Sequence, residues 1–210
     1  MKMLSYLRAI RRVHHRPLLA LTGLAIVAGV VVIEASDWPE WRGPRRDGTS
    51  TETNLPARWS PAGENVAWSL PFGGRSTPVT FGNRLYLQTI TTGDVSTTQE
   101  RLVAVDVDSG KIVWERKASI YLSDVPQHRA GWASPAVDPA TGNIYMFTVG
   151  AELLAFAPDG KLLWDRSLPE EYGAITTHGG RTTSPIVDGD KVITNALIQN
   201  WGPDLGRPGN

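Results

Sequence analysis

The stretch Ala104-Val105-Asp106-Val107-Asp108-Ser109-Gly110-Lys111-Ile112-Val113-Trp114 decides the fold. It reads as the end of one β-strand, a polar turn and the start of the next strand. Gly110 supplies the positive φ that a tight hairpin demands. A second copy, Ala155-Phe156-Ala157-Pro158-Asp159-Gly160-Lys161-Leu162-Leu163-Trp164, is one residue shorter and lacks the acid at the place of Asp106. Asn65-Val66-Ala67-Trp68 carries only the end of the pattern, and the spacings from Trp68 to Trp114 to Trp164 are 46 and 50 residues. A second marker interleaves with the first: Ser76-Thr77-Pro78-Val79, Ala133-Ser134-Pro135-Ala136 and Thr183-Ser184-Pro185-Ile186, 57 and 50 residues apart at the proline. Two independent markers at one period mean an internal repeat.

Between the markers lie runs rich in β-branched and aromatic residues: Arg84-Leu85-Tyr86-Leu87-Gln88, Asn143-Ile144-Tyr145-Met146-Phe147, Lys191-Val192-Ile193-Thr194, Leu102-Val103-Ala104-Val105 and Leu153-Leu154-Ala155-Phe156. These predict strands, and no stretch after residue 36 has a helical period. Each unit reads as four strands, A to D, with strand D ending at its tryptophan. Unit one covers about 75–118, unit two about 131–168, and unit three starts near 181. Four-stranded units at this period predict an all-β chain of antiparallel β-propeller blades, each needing a neighbour to cover its faces.

The motif Ala-x-Asp, three residues, Gly-Lys, two residues, Trp resembles the tryptophan-docking motif of the pyrroloquinoline-quinone (PQQ)-like propeller repeats, in the quinoprotein alcohol dehydrogenase-like superfamily. The opening Asp37-Trp38-Pro39-Glu40-Trp41-Arg42-Gly43-Pro44 through Asp47-Gly48 to Leu55-Pro56 and Trp59 is similar to the start of bacterial PQQ-binding-like repeat proteins. The resemblance implies that Ala104, Asp106, Gly110, Trp114, Ala155, Gly160 and Trp164 are structural. A small Ala makes room, Gly turns the chain, and Trp fills the space between blades. It also implies that Asn65 to Phe72 is a strand D that completes a last blade. The chain supplies about two and a half blades plus this closing strand, whereas a ring takes about four to eight. The expectation is a partial propeller, an N-terminal fragment of a longer product.

The formal net charge is zero, but five basic residues (Lys2, Arg8, Arg11, Arg12, Arg16) and only one acid fall in residues 1–36. The remainder is mildly acidic, which argues against a nucleic-acid partner. There is no cysteine, which excludes disulfides, thiolate metal sites, a cysteine nucleophile and a lipidated N-terminal cysteine. The basic flank abuts an apolar run from Leu18 to Ile33, the pattern of an export signal. As a helix the run spans about 24 Å, against a hydrocarbon core of about 30 Å. Residues 1–36 are therefore a cleaved signal peptide or a retained signal-anchor, with membrane contact confined to 17–33 in the second case. Both send the rest outward, to the periplasm or beyond. Residues 37–64 form an opening segment and 65–210 the repeats.

No P-loop, metalloprotease helix, dinucleotide fingerprint or nucleophile elbow occurs, and Asp106-Val107-Asp108 is a hairpin turn because position twelve of a calcium loop is Lys117, not Glu. The sequence assigns no catalytic residue and no metal ligand. The connections that lead into strand A open near the central channel, so Arg75, His128, Trp132, His178 and Arg181 are the candidate ligand-binding residues on one face. Counted from the prolines, Arg75 matches Trp132 and Thr182 rather than Arg181. The expected function is a non-enzymatic binding or assembly scaffold for an unidentified protein or small molecule. The alternative that the resemblance implies is a dehydrogenase oxidising alcohols or sugars with PQQ and calcium. Those enzymes often use adjacent cysteines, acidic calcium ligands and an Asp base. The cysteines are absent, and none of the acids here matches the ligands or the base.

Overall fold

The computed structural model describes residues 36–91, 94–120, 127–176 and 182–197. The apolar segment 18–33, His178, Arg181 and the residues after 197 lie outside them. Among the described residues no helix is long and apolar enough to cross a membrane.

The regular secondary structure of the described residues is almost all antiparallel sheet. Strands β1 (Val79–Phe81), β2 (Arg84–Ile90), β3 (Gln99–Asp106) and β4 (Ile112–Ser119) form one four-stranded sheet in chain order. Strands β5 (Ala136–Val137), β6 (Ile144–Phe147), β7 (Glu152–Phe156) and β8 (Leu162–Ser167) form a second. A hairpin of β9 (Ile186–Asp188) and β10 (Lys191–Ile193) begins a third unit. The first strands β1, β5 and β9 lie side by side.

Burial explains the strand sequences. In β3, Leu102, Val103, Ala104 and Val105 are all fully buried, so the strand has cover on both faces and reads as a continuous apolar run rather than an alternating one. Strand β4 is outermost: Trp114 and Ala118 turn inward, Arg116 reaches from the same face to the Gly160 carbonyl, and Ile112, Val113 and Lys117 are exposed. The main core is the layer between the two sheets, where Val79, Tyr86, Leu102, Ala104 and Trp114 meet Val137, Ile144, Met146 and Phe156.

The turn between β3 and β4 shows why the motif has its residues. Asp106 accepts hydrogen bonds from the Ser109 amide (3.0 Å) and hydroxyl (2.7 Å), and its other oxygen takes Asn83 and Arg84. These bonds, those from Ser109 first, hold its carboxyl below the usual carboxylate range. Gly110 has φ 68° and Gly160 φ 81°. Against each lies the indole of the preceding repeat, so a Cβ would sit 2.5 Å from Trp68 at Gly110 and 2.6 Å from Trp114 at Gly160. The indole Nε1 then donates to a turn carbonyl, Trp68 to Val107 at 2.7 Å and Trp114 to Pro158 at 3.0 Å.

Three details differ from the sequence expectation. The tryptophan does not end strand D; it is the third residue of β4 and of β8. In both sheets the register slips by one residue, between Ala104 and Val105 and between Ala155 and Phe156. Val113 and Leu163 are the bulged, exposed residues, and the bulge re-aims the indole inward. Residues 65–72 make the Trp68 contact but form no strand, because no described strand runs beside them. A short helix, α1 (Leu168–Tyr172), follows β8, with Pro169 in its first turn and Gly173 at its C-terminal end in the left-handed conformation.

Candidate functional site

The opening segment builds the site. Trp38 and Thr80 of β1 exchange two backbone hydrogen bonds of 2.9 Å. The next residue, Pro39, accepts from the Val137 amide of β5 at 2.8 Å. Arg46 donates to the Val187 carbonyl of β9 at 2.5 Å and pairs with Asp188 at 3.6 Å. Residues 38–46 are thus a strap tied to the first strand of all three units. Arg46 is also bonded to Glu40 at 2.8 Å, and that bond raises the guanidinium pKa.

The residue before each marker proline adds a second tie between units. The Thr77 amide donates to the Ser134 hydroxyl at 2.9 Å, and the Ser134 amide donates to the Ser184 hydroxyl at 2.9 Å. A small hydroxyl residue at this position in every unit therefore links neighbours by side chain to backbone.

Between strap and units lies a cavity of about 690 Å³. Its walls include Glu40, Trp41, Arg42 and Arg46 from the strap, and Arg75, Trp132 and Thr182 from the residues three before each proline. Trp41 is 52% and Trp132 39% exposed. Arg42 stacks on Trp41, 4.8 Å from the ring centre. Among the described residues Arg42 and Arg75 have no carboxylate partner.

Of the expected site residues, Arg75 and Trp132 share this cavity. His128 does not line it; it lines an adjoining hollow of about 370 Å³ with Phe72, Gln127 and the other side of Arg75. The His128 carbonyl accepts the Trp132 Nε1 at 3.0 Å, which fixes the indole. His178 and Arg181 lie outside the described residues. The count from the prolines identifies the wall position, because Arg75, Trp132 and Thr182 all face the cavity.

Sequence reasoning misses the strap residues and Glu100. The strap carries no periodic signal; its one cue is a tryptophan-rich, turn-rich opening with no place in the repeat. Glu100 on β3 is fully buried. Its carboxylate accepts the Gly131 amide at 2.5 Å and the Val149 amide at 2.7 Å, both from the second unit. Burial pushes its pKa up to about 7 against the pull of those amides. By gripping Gly131 it positions the loop that carries Trp132. The residue type gives no signal, since an acid on a strand reads as exposed.

The donor set fits PQQ and calcium unequally. The two indoles and the arginines would suit a flat, carboxylate-bearing group. Calcium, which takes six to eight oxygen ligands, does not fit. Among the described residues no three His, Cys, Asp or Glu side chains converge, and the cavity's single carboxylate, Glu40, is committed to Arg46.

No curated protein matches the chain. Among solved structures it is similar to a europium-containing methanol dehydrogenase (20% identity, TM-score 0.44, covering 60% of this chain and 20% of that one). It is also similar to the quinohemoprotein alcohol dehydrogenase from Comamonas testosteroni (19%, TM-score 0.44, 60% and 17%) and to BamB from Moraxella catarrhalis (14%, TM-score 0.41, 63% and 34%). The chain matches about a sixth to a third of the length of these structures. The family model PQQ_2, described as outer membrane protein assembly factor BamB, matches residues 49–199. With its docked tryptophans and four-stranded antiparallel units, the chain belongs to this family of PQQ-like β-propeller repeats.

Proposed function

We propose that the chain is part of an exported, extracytoplasmic β-propeller that works as a non-enzymatic binding or assembly scaffold, taking its ligand at the strapped cavity. The observation that carries this reading is the cavity wall. It draws residues from three repeats and the strap, and among the described residues it offers cations, indoles and hydroxyls, its one carboxylate being paired with Arg46. The assembly-factor description of the matching family supports the same role and an extracytoplasmic setting. So does the basic and apolar pattern of residues 1–33.

The dehydrogenase alternative needs calcium ligands and a base at the same face, which the described lining does not supply. The test is to titrate the purified protein with PQQ and calcium and to follow dye reduction with alcohols and sugars. The scaffold reading predicts no alcohol-dependent dye reduction. Saturable PQQ binding accompanied by such reduction would overturn it.

A further inference from the structure

The cavity has a chemical bias that narrows its ligand. Three guanidinium groups face one carboxylate, and Glu40 is neutralised by Arg46 at 2.8 Å. Arg42 is held against Trp41, which leaves Arg75 as the wall cation with no described partner. Arg75 and Trp132 occupy equivalent positions in neighbouring units, so a cation and an indole face stand side by side in the wall. Of the polar groups in the remaining lining, the Ser134 and Ser184 hydroxyls accept backbone amides, Thr183 donates to Asn195, and the Thr182 and Thr194 hydroxyls are shielded, so the exposed Thr77 and Asn195 side chains are the ones open to a ligand.

Each group asks for something different. A guanidinium fork suits a carboxylate or phosphate. A half-exposed indole offers an apolar face to a flat ring, with a polar edge already bonded. The exposed Thr77 hydroxyl and Asn195 amide offer hydrogen bonds to a ligand's own hydroxyls. Inorganic phosphate leaves the indoles bare. An aromatic acid leaves Thr77 and Asn195 unmatched. A pyranose ring bearing a carboxylate answers all three, and about 690 Å³ is within the range of small-molecule sites.

We infer that the cavity binds a short acidic saccharide, its carboxylate on Arg75 and a sugar face on Trp132. This rests on the scaffold reading and gives it a ligand class. The test is calorimetric titration of the purified protein with digalacturonate and, separately, with its neutral dimethyl ester. Saturable binding of the acid is expected, with the ester weaker by about tenfold or more, the loss of one charge-assisted contact. Arg75→Ala should abolish the preference for acid over ester, and Arg75→Lys should keep part of it, because the charge stays while the fork is lost. Trp132→Ala should weaken acid and ester alike. Arg75 is exposed, so its variants should keep the native near-ultraviolet circular dichroism. Equal binding of acid and ester, an unchanged preference in Arg75→Ala, or no binding of the acid by natively folded protein would each overturn the inference. The last result leaves the scaffold reading standing, whereas PQQ-dependent alcohol oxidation removes that reading itself.

Discussion

Gly160 and Gly173 both adopt positive φ, 81° and 60°, but their surroundings differ. A Cβ on Gly160 would run into the Trp114 indole at 2.6 Å, while one on Gly173 meets nothing within 4 Å. Both alanine variants carry the backbone penalty of about 1 kcal/mol. Only Gly160→Ala should add an overpacking cost of about 1–3 kcal/mol, and urea midpoints of the two variants give the difference. Trp114 is 9% exposed and Trp164 39%. Trp114→Ala should therefore cost about 3–5 kcal/mol, and Trp164→Ala clearly less, read in the same titrations. Glu100 makes a pH prediction. Its folded pKa of about 7 lies above the ordinary 4.5, so the folded state holds the proton more tightly. Its contribution is fully present below pH 4.5 and is lost as pH rises through 7. Stability should fall from about pH 5 to about pH 7.5 in denaturant titrations, and Glu100→Gln should flatten that fall. An unchanged slope in the variant would remove Glu100 as its source.

Between strands C and D, the turn is written in the sequence and the bulge is not. The Gly-Lys-x-x-Trp spacing is legible because the turn, the bulge and the indole follow one another directly along the chain. The bulge itself is hidden: Val113 and Leu163 look like ordinary strand residues, and only the register slip shows them as extra. Hence the sequence places each tryptophan at a strand end rather than near its start. Helix α1 escapes a periodicity search because its 5 residues are too few to show a period, although Pro169 and Gly173 bracket it. The hydroxyl before each proline reads as a repeat marker, and its role as an acceptor is visible only across 57 and 50 residues. Ser134→Ala should leave the partly buried Thr77 amide without its acceptor and cost about 1 kcal/mol. Thermal melts check it, with Ser134→Cys as a weaker acceptor of similar size.

For the whole molecule, the repeats determine how units stack and the strap determines what lies between them. The stacking is legible in the sequence because Trp68 and Trp114 each meet the glycine of the next repeat. The strap is not, because Trp38 meets Thr80 across 42 residues and Arg46 meets Val187 across 141. Two of the five expected site residues, Arg75 and Trp132, line the cavity, and most of its cationic character comes from the strap. Residues 38–46 therefore tie the three units together. Amide hydrogen exchange on the native protein tests it most directly. The Trp38 amide and the strap-bonded amides of Thr80 and Val137 should exchange slowly, alongside those of β3. Fast, unprotected exchange through residues 38–46 while β3 stays protected would contradict it.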